Sequence, residues 1–262
     1  VMTVTATDQH GREFTDRIMD CPDAASQCAW GDASGGLRWY DHGDRWEKLS
    51  ASFEDVQAGG FHRLGEHWSL GGALGYSSSR LDSGNNRERV DADTLNLGLA
   101  ARYRAGALTI GAGVSWSHHW NDASRTVLPP SGPREASADF TTSVTTLRTD
   151  LAYRLGVGDT WQLTPALALS VSRLALDDFS ESGAGAYDLA IAGDDQWIAT
   201  VAPSLTLKRE LALDNGAMVK PWLRLGASVR SDDSAPVDLH LAGADAGHAH
   251  EIRQPVPDWL LS

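Results

Sequence analysis

The chain has 262 residues, with 22 Lys and Arg against 35 Asp and Glu, a net charge of −13, ten Trp and 26 Gly. Phosphate binding needs a basic face, so this balance argues against a nucleic-acid partner, and the absence of any run of about 18 apolar residues excludes helical membrane spans. A β-barrel escapes that exclusion because its strands spend only every second residue on lipid, and abundant Trp and Gly suit aromatic belts and a close-packed wall.

In chain order, Val1–Thr7 lacks the basic start and apolar core of a secretory signal, so the chain reads as an internal piece of a longer precursor. Thr7 or Asp8 is placed to cap a short helix over His10–Asp20. Phe14 and Ile18 lie one turn apart on it, with Arg12, Glu13, Asp16 and Arg17 around the remaining surface. So narrow an apolar stripe suits a surface helix of a soluble domain or a helix inside a polar lumen. Cys21 and Cys28 follow, separated by six residues that include Pro22. A small disulfide loop formed in an oxidising compartment is preferred over two free thiols.

From Cys28 the period becomes two. Cys28–Tyr40 is a glycine-containing strand, and a second lies within Trp46–Arg63, where blurred parity predicts a bulge. Trp68–Ser79 sets Trp68, Leu70, Leu74 and Tyr76 against Ser69, Gly71, Gly75 and Ser77. The next strand sets Leu95, Leu97, Leu99 and Tyr103 against Thr94, Asn96, Gly98 and Arg102. Leu108–Asn121 is the clearest: Leu108, Ile110, Ala112, Val114, Trp116 and Trp120 share one parity, while Gly and Ser dominate the other. Strands over Thr141–Leu155, Trp161–Arg173, Trp197–Lys208 and Val219–Arg230 bring the count to nine. Short links (Leu64–His67, Arg104–Ala107, Gly156–Asp159, Glu210–Ala217) alternate with long polar ones (Arg80–Asp93, Asp122–Asp139, Leu174–Gln196, Ser231–Gln254). Outer-membrane barrels alternate in this way, and a soluble sandwich has no reason to. Arg148, Asp150, Lys220 and Arg224 stand in mid-strand, where a dry core would charge several kcal/mol for each ion and a wet lumen little.

The helix Gly11–Cys21, the Trp-bearing strand Cys28–Trp39 and the paired-strand rhythm that follows resemble the translocator domain of autotransporters, the type V secretion system, and most nearly those attached to subtilisin-like protease passengers. The resemblance implies an all-β fold, an antiparallel transmembrane β-barrel of twelve strands with an N-terminal α-helix in the pore. Residues 1–27 would be the passenger-end linker and pore helix, with Arg12, Glu13, Phe14, Arg17 and Ile18 in the lumen. Residues 28–262 would be an incomplete barrel, because the chain stops at Asp258–Ser262 where a tenth strand is expected. Missing residues, a truncation, and a sheet completed by the β-barrel assembly machinery are the three open explanations. On this template Arg148, Asp150, Lys220, Trp222 and Arg224 face the lumen, and Trp68, Tyr76, Tyr103, Trp116, Trp161 and Trp197 form a lipid-facing girdle. The implied partners are the bilayer and its lipopolysaccharide, the assembly machinery and the chain's own passenger, in the outer membrane of a Gram-negative bacterium.

No enzyme is expected: there is no Gly-x-Ser-x-Gly elbow and no phosphate-binding loop. No cofactor or metal is expected either. His240, His248 and His250 read as loop histidines, His118 and His119 as an interfacial or loop-mouth pair, and Asp177, Asp178, Glu181, Asp194 and Asp195 as a solvated or lipopolysaccharide-facing acidic surface. The competing readings are another outer-membrane barrel, porin-like or enzymatic, and a soluble β-rich binding domain.

Overall fold

A computed structural model describes residues 27–40, 49–83, 87–158, 160–209, 211–212, 218–231, 234–241, 250–255 and 259–261. The expected pore helix, including Arg12, Glu13, Phe14, Arg17 and Ile18, lies outside these residues. So does Cys21, and with it the proposed pairing to Cys28.

Ten strands follow one another around a single sheet: β1 (Gln27–Tyr40), β2 (Leu49–Leu64), β3 (Trp68–Ser83), β4 (Glu88–Ala105), β5 (Leu108–Val127), β6 (Arg134–Tyr153), β7 (Trp161–Leu176), β8 (Asp194–Arg209), β9 (Trp222–Arg230) and β10 (Trp259–Leu261). Each pairs antiparallel with the next, and Leu155–Val157 adds to the foot of β7. Tight turns close the β2–β3 and β4–β5 hairpins, with left-handed backbone at Gly65 (φ 69°) and Gly106 (φ 57°), which glycine adopts without a Cβ penalty. Among the described residues no helix is long and apolar enough to cross a membrane, which says nothing of strands.

Three expectations need correction. The register from Leu49↔Ser83 to Leu64↔Trp68 is one-to-one, so β2 carries no bulge. Its parity is blurred because Phe53 and Phe61 share a face with Asp55 and Gln57, while His62 stands on the other. Lys220 belongs to no wall strand: Met218–Val219 pairs with Leu211–Ala212 in a separate hairpin, and β9 begins at Trp222. The long link Asp122–Asp139 is largely strand, since β5 runs on to Val127 and β6 starts at Arg134.

The other long links are also structured. Phe179–Ser180, Leu189–Ile191, Ser234–Leu241 and His250–Pro255 form a second, four-stranded sheet beyond the loop-side ends of the wall. It joins β6 through the Ser137↔Ser182 bridge and a stack of Phe140 on Phe179, centroids 4.3 Å apart.

Within the wall, small residues let large ones lie flat. A Cβ added to Gly71 would sit 2.5 Å from the Phe61 ring, over which the Arg102 guanidinium lies 5.3 Å from the centroid. Gly71→Ala is expected to destabilise the folded sheet by about 1–3 kcal/mol, read as a shift of the urea unfolding midpoint in lipid vesicles. A further Phe61→Leu substitution should recover part of the loss. An unchanged midpoint for Gly71→Ala would show that this packing is slack.

Candidate functional site

Alternation along each strand sorts side chains onto two faces, and the sorting is the reverse of a water-soluble protein. On β5, Gly111, Gly113, Ser115, Ser117, His119 and Asn121 are buried, while Ile110, Val114, Trp116 and Trp120 are exposed. The same inversion runs through neighbouring strands. Asn96 and Thr146 are 0% exposed, whereas Leu99 is 65% and Leu147 57% exposed.

The buried, inner face is held by hydrogen bonds between side chains opposite one another. Ser117 Oγ donates to Asn96 Oδ1 at 2.6 Å, Thr94 Oγ1 meets His119 Nδ1 at 2.7 Å, and Thr146 and Ser172 hydroxyls lie 3.0 Å apart. Arg148 grips Asp150 two residues along the same face, with Nε–Oδ2 3.0 Å and an Nη2–Oδ1 contact of 2.9 Å. A buried polar group left without a partner costs about 1–3 kcal/mol, so this ladder is what lets a polar face be enclosed. Trp222 and Arg224 share the parity of the buried Arg230, although Trp222 is 69% exposed near the foot of β9.

The outer face is apolar. Its inter-belt positions, Leu70–Leu74, Leu97–Ala101, Ile110–Val114, Leu147–Leu151, Leu163–Val171, Ala199–Leu207 and Leu223–Val229, carry no Asp, Glu, Lys or Arg on this parity. Aromatic residues mark its edges in two groups. Trp68, Tyr103 and Trp161 stand at the turn side, Trp68 and Tyr103 with centroids 5.0 Å apart. Tyr76, Trp116 and Trp197 stand at the loop side. The eight residue steps from Trp68 to Tyr76 and the twelve from Leu108 to Trp120 give about 20–30 Å of height once strands tilt by about 40°.

The two adjacent histidines divide between these faces. His118 lies outward between Trp116 and Trp120, 5.5 Å and 4.7 Å from them, and His119 is buried on the inner face. Beyond Trp120 the outer face turns acidic, with Asp91, Asp122 and Asp139 in one cross-strand row. The loop carboxylates expected to be merely solvated are structural. Glu181 takes the Arg125 guanidinium in a two-point pair and also accepts from the Leu189 amide at 2.8 Å. Asp178 accepts from the Gly193 amide, and Asp195 pairs with Arg173 at 2.6 Å. Sequence spacing offered no signal for the Arg125–Glu181 pair, because its partners are joined only through the docked loop. Among the described residues no group of three or more His, Cys, Asp or Glu side chains is placed to hold a metal ion.

A hydrogen bond with Asp139, reinforced by its charge, lifts the Asp122 carboxyl above its ordinary pKa of 3.8. The folded state therefore favours protonated Asp122, a contribution present at low pH and lost as the pH rises through the raised value. Asp122→Asn is expected to raise the thermal unfolding midpoint in detergent at pH 7 and to leave it unchanged well below pH 3.8. A lower midpoint at pH 7 would contradict the repulsion.

Residues 29–261 match the family model of the autotransporter β-domain. A Pseudomonas putida protein described as an uncharacterized protein in the trpE-trpG intergenic region is 28% identical over 204 residues, 73% of this chain and 32% of that protein. The chain thus spans about a third of that relative. The fold is similar to the translocator domain of the autotransporter NalP from Neisseria meningitidis, with a TM-score of 0.69 at 17% identity over 93% of this chain and 87% of that one. It is also similar to the β-domain of the Bordetella autotransporter BrkA, with a TM-score of 0.58 at 17% identity over 90% and 97% of the two chains.

Proposed function

Because the chain belongs to the autotransporter β-domain family, a family of Gram-negative outer-membrane barrels, we propose that it is the membrane-embedded translocator through which an N-terminal passenger reaches the cell surface. The observation that carries this reading is the reversed burial. A wall that hides Asn96 and Thr146 and displays Leu99 and Leu147 is unstable in water, where each exposed large apolar side chain forgoes about 1.5–3 kcal/mol. In hydrocarbon the same arrangement is favourable, and every wall strand that has two neighbours satisfies its backbone through them.

In this reading the outer face between the aromatic belts touches lipid, and Trp68, Tyr103 and Trp161 sit at the periplasmic interface. Tyr76, Trp116 and Trp197 sit at the lipopolysaccharide side, where the long, docked loops lie. The inner face, with Arg148, Asp150, Trp222 and Arg224, borders the lumen. Residues 8–20, carrying Arg12, Glu13, Phe14, Arg17 and Ile18, are the helix that occupies it. Cys21 and Cys28 close a disulfide between that helix and the wall. Insertion calls for the β-barrel assembly machinery, since strand edges cannot enter hydrocarbon with their backbone groups unpaired.

The test of export is an epitope placed before Val1 in a Gram-negative host. It should become sensitive to protease added to intact cells, and an epitope that stays protected on intact cells but is cut after lysis would contradict export. The lipid contact is tested separately. Leu99→Arg should cost about 2–4 kcal/mol of folding free energy in vesicles, against about 0–1 kcal/mol for Thr126→Arg, six residues beyond Trp120. Equal penalties would place the hydrocarbon elsewhere.

A further inference from the structure

The ionised side chains of the inner face are not spread evenly along it. Near the turn-side ends of the strands they are almost all cations: Arg63 on β2, Arg102 and Arg104 on β4, Arg154 at the foot of β6, Lys208 on β8 and Arg224 on β9. Registers place them at one end, with Arg63↔Ser69↔Arg102 in one row, Arg104 opposite Thr109 two positions below, and Thr206↔Arg224 beside Lys208. Between them the inner-facing positions are neutral: Ser69, Thr109, Gln162 and Thr164. The nearest inner carboxylate among the described residues, Asp150, is engaged by Arg148. Glu66 lies on the exposed β2–β3 turn, where Arg63 bonds its main-chain oxygen at 2.9 Å. At the opposite end of the wall the outer face carries carboxylates, Asp91, Asp122 and Asp139.

We propose that the turn-side end of the lumen is an anion-binding vestibule whose occupant is carboxylate-rich polypeptide. Two observations supply the chemistry. Six inner-facing cations outnumber the four carboxylates of the turn-side links, Glu66, Asp159, Glu210 and Asp214, which leaves a positive balance focused by low-dielectric walls, and rings of Arg and Lys select for anions in pores. The chain also tethers a matching segment there. Gln27 pairs with His62 at the turn-side end of β2, so residues 1–26 are joined to the wall at this end. They contain five carboxylates (Asp8, Glu13, Asp16, Asp20, Asp23) against two guanidiniums (Arg12, Arg17), a net −3. The vestibule thus distinguishes polypeptide by charge, drawing in acidic stretches and resisting Lys- and Arg-rich ones.

This rests on the inner face bordering a water-filled lumen. Its test uses the whole chain in planar bilayers under a potassium chloride gradient, with poly-L-glutamate and poly-L-lysine of equal length as the polypeptide probes. A local potential of about one kT favours a univalent anion over a univalent cation by about sevenfold, so the reversal potential should lie toward chloride. Poly-L-glutamate should block at lower concentration than poly-L-lysine, and both preferences should weaken at high salt. The triple variant Arg63→Glu, Lys208→Glu and Arg224→Glu changes three exposed side chains and should abolish or invert both preferences. If it does not fold, as judged by heat-modifiable mobility, Lys208→Gln with Arg224→Gln should reduce them in the same direction. Channels that favour potassium, or whose selectivity the substitutions leave unmoved, overturn the vestibule alone. Failure of the unmodified chain to insert or conduct overturns the membrane-wall reading together with it.

Discussion

A polypeptide in hydrocarbon has no water to satisfy its backbone, and that one constraint organises this molecule. Each strand must give its N–H and C=O groups to neighbours on both sides, which produces a continuous wall with one-to-one registers over 11–20 residues from β1 through β8. Once the backbone is committed in this way, the only freedom left is which face each side chain takes, and the two-residue period assigns that. Apolar chains go outward, where hydrocarbon costs them nothing. Hydroxyls, amides and ions go inward, where Asn96–Ser117, Thr94–His119 and Arg148–Asp150 satisfy one another.

The two ends of the wall obey different rules because they meet different surroundings. At the turn side the strands stop within a few residues of Trp68, Tyr103 and Trp161, and short turns with left-handed glycines suffice. At the loop side β5 and β6 run past Trp120 as a hairpin in water. There the lipid constraint is gone and ordinary protein chemistry returns, with a separate small sheet, the Phe140–Phe179 stack and the Arg125–Glu181 pair binding the loops to the hairpin. The loops therefore form a folded layer resting on the wall.

This division explains what could be read from the sequence. Where lipid and lumen impose opposite chemistry on successive residues, as over Leu108–Trp120, parity alone located the strand and its two faces. Where the strand leaves the bilayer that contrast disappears, so the extension to Val127 and the start of β6 at Arg134 were invisible, although pairing continues unbroken. The bulge expected in β2 arose from the same cause in reverse. Phe61 is apolar yet inner, because Gly71 leaves it a flat seat, and one such exchange is enough to blur a short pattern. His118 and His119 read together as an interfacial or loop-mouth pair, and the two-residue period sends His118 outward and His119 to the Gly- and Ser-rich face. A strand begun at Val219, three residues before β9, carries Lys220 into the wall. Contacts between loops distant in sequence, such as Arg125 with Glu181, carry no periodic trace.

The central claim is that the exposed apolar face of the wall contacts lipid. It is tested most directly by single nitroxide labels along β5 in bilayers, in a background lacking Cys21 and Cys28. Labels at Ile110, Ala112 and Val114 should collide readily with oxygen dissolved in the hydrocarbon and poorly with a water-soluble nickel chelate. Labels at Thr109, Ser115 and Ser117 should collide poorly with oxygen. Alternation with a two-residue period in this phase is the expected result; no alternation, or nickel access equal at all six positions, would contradict it.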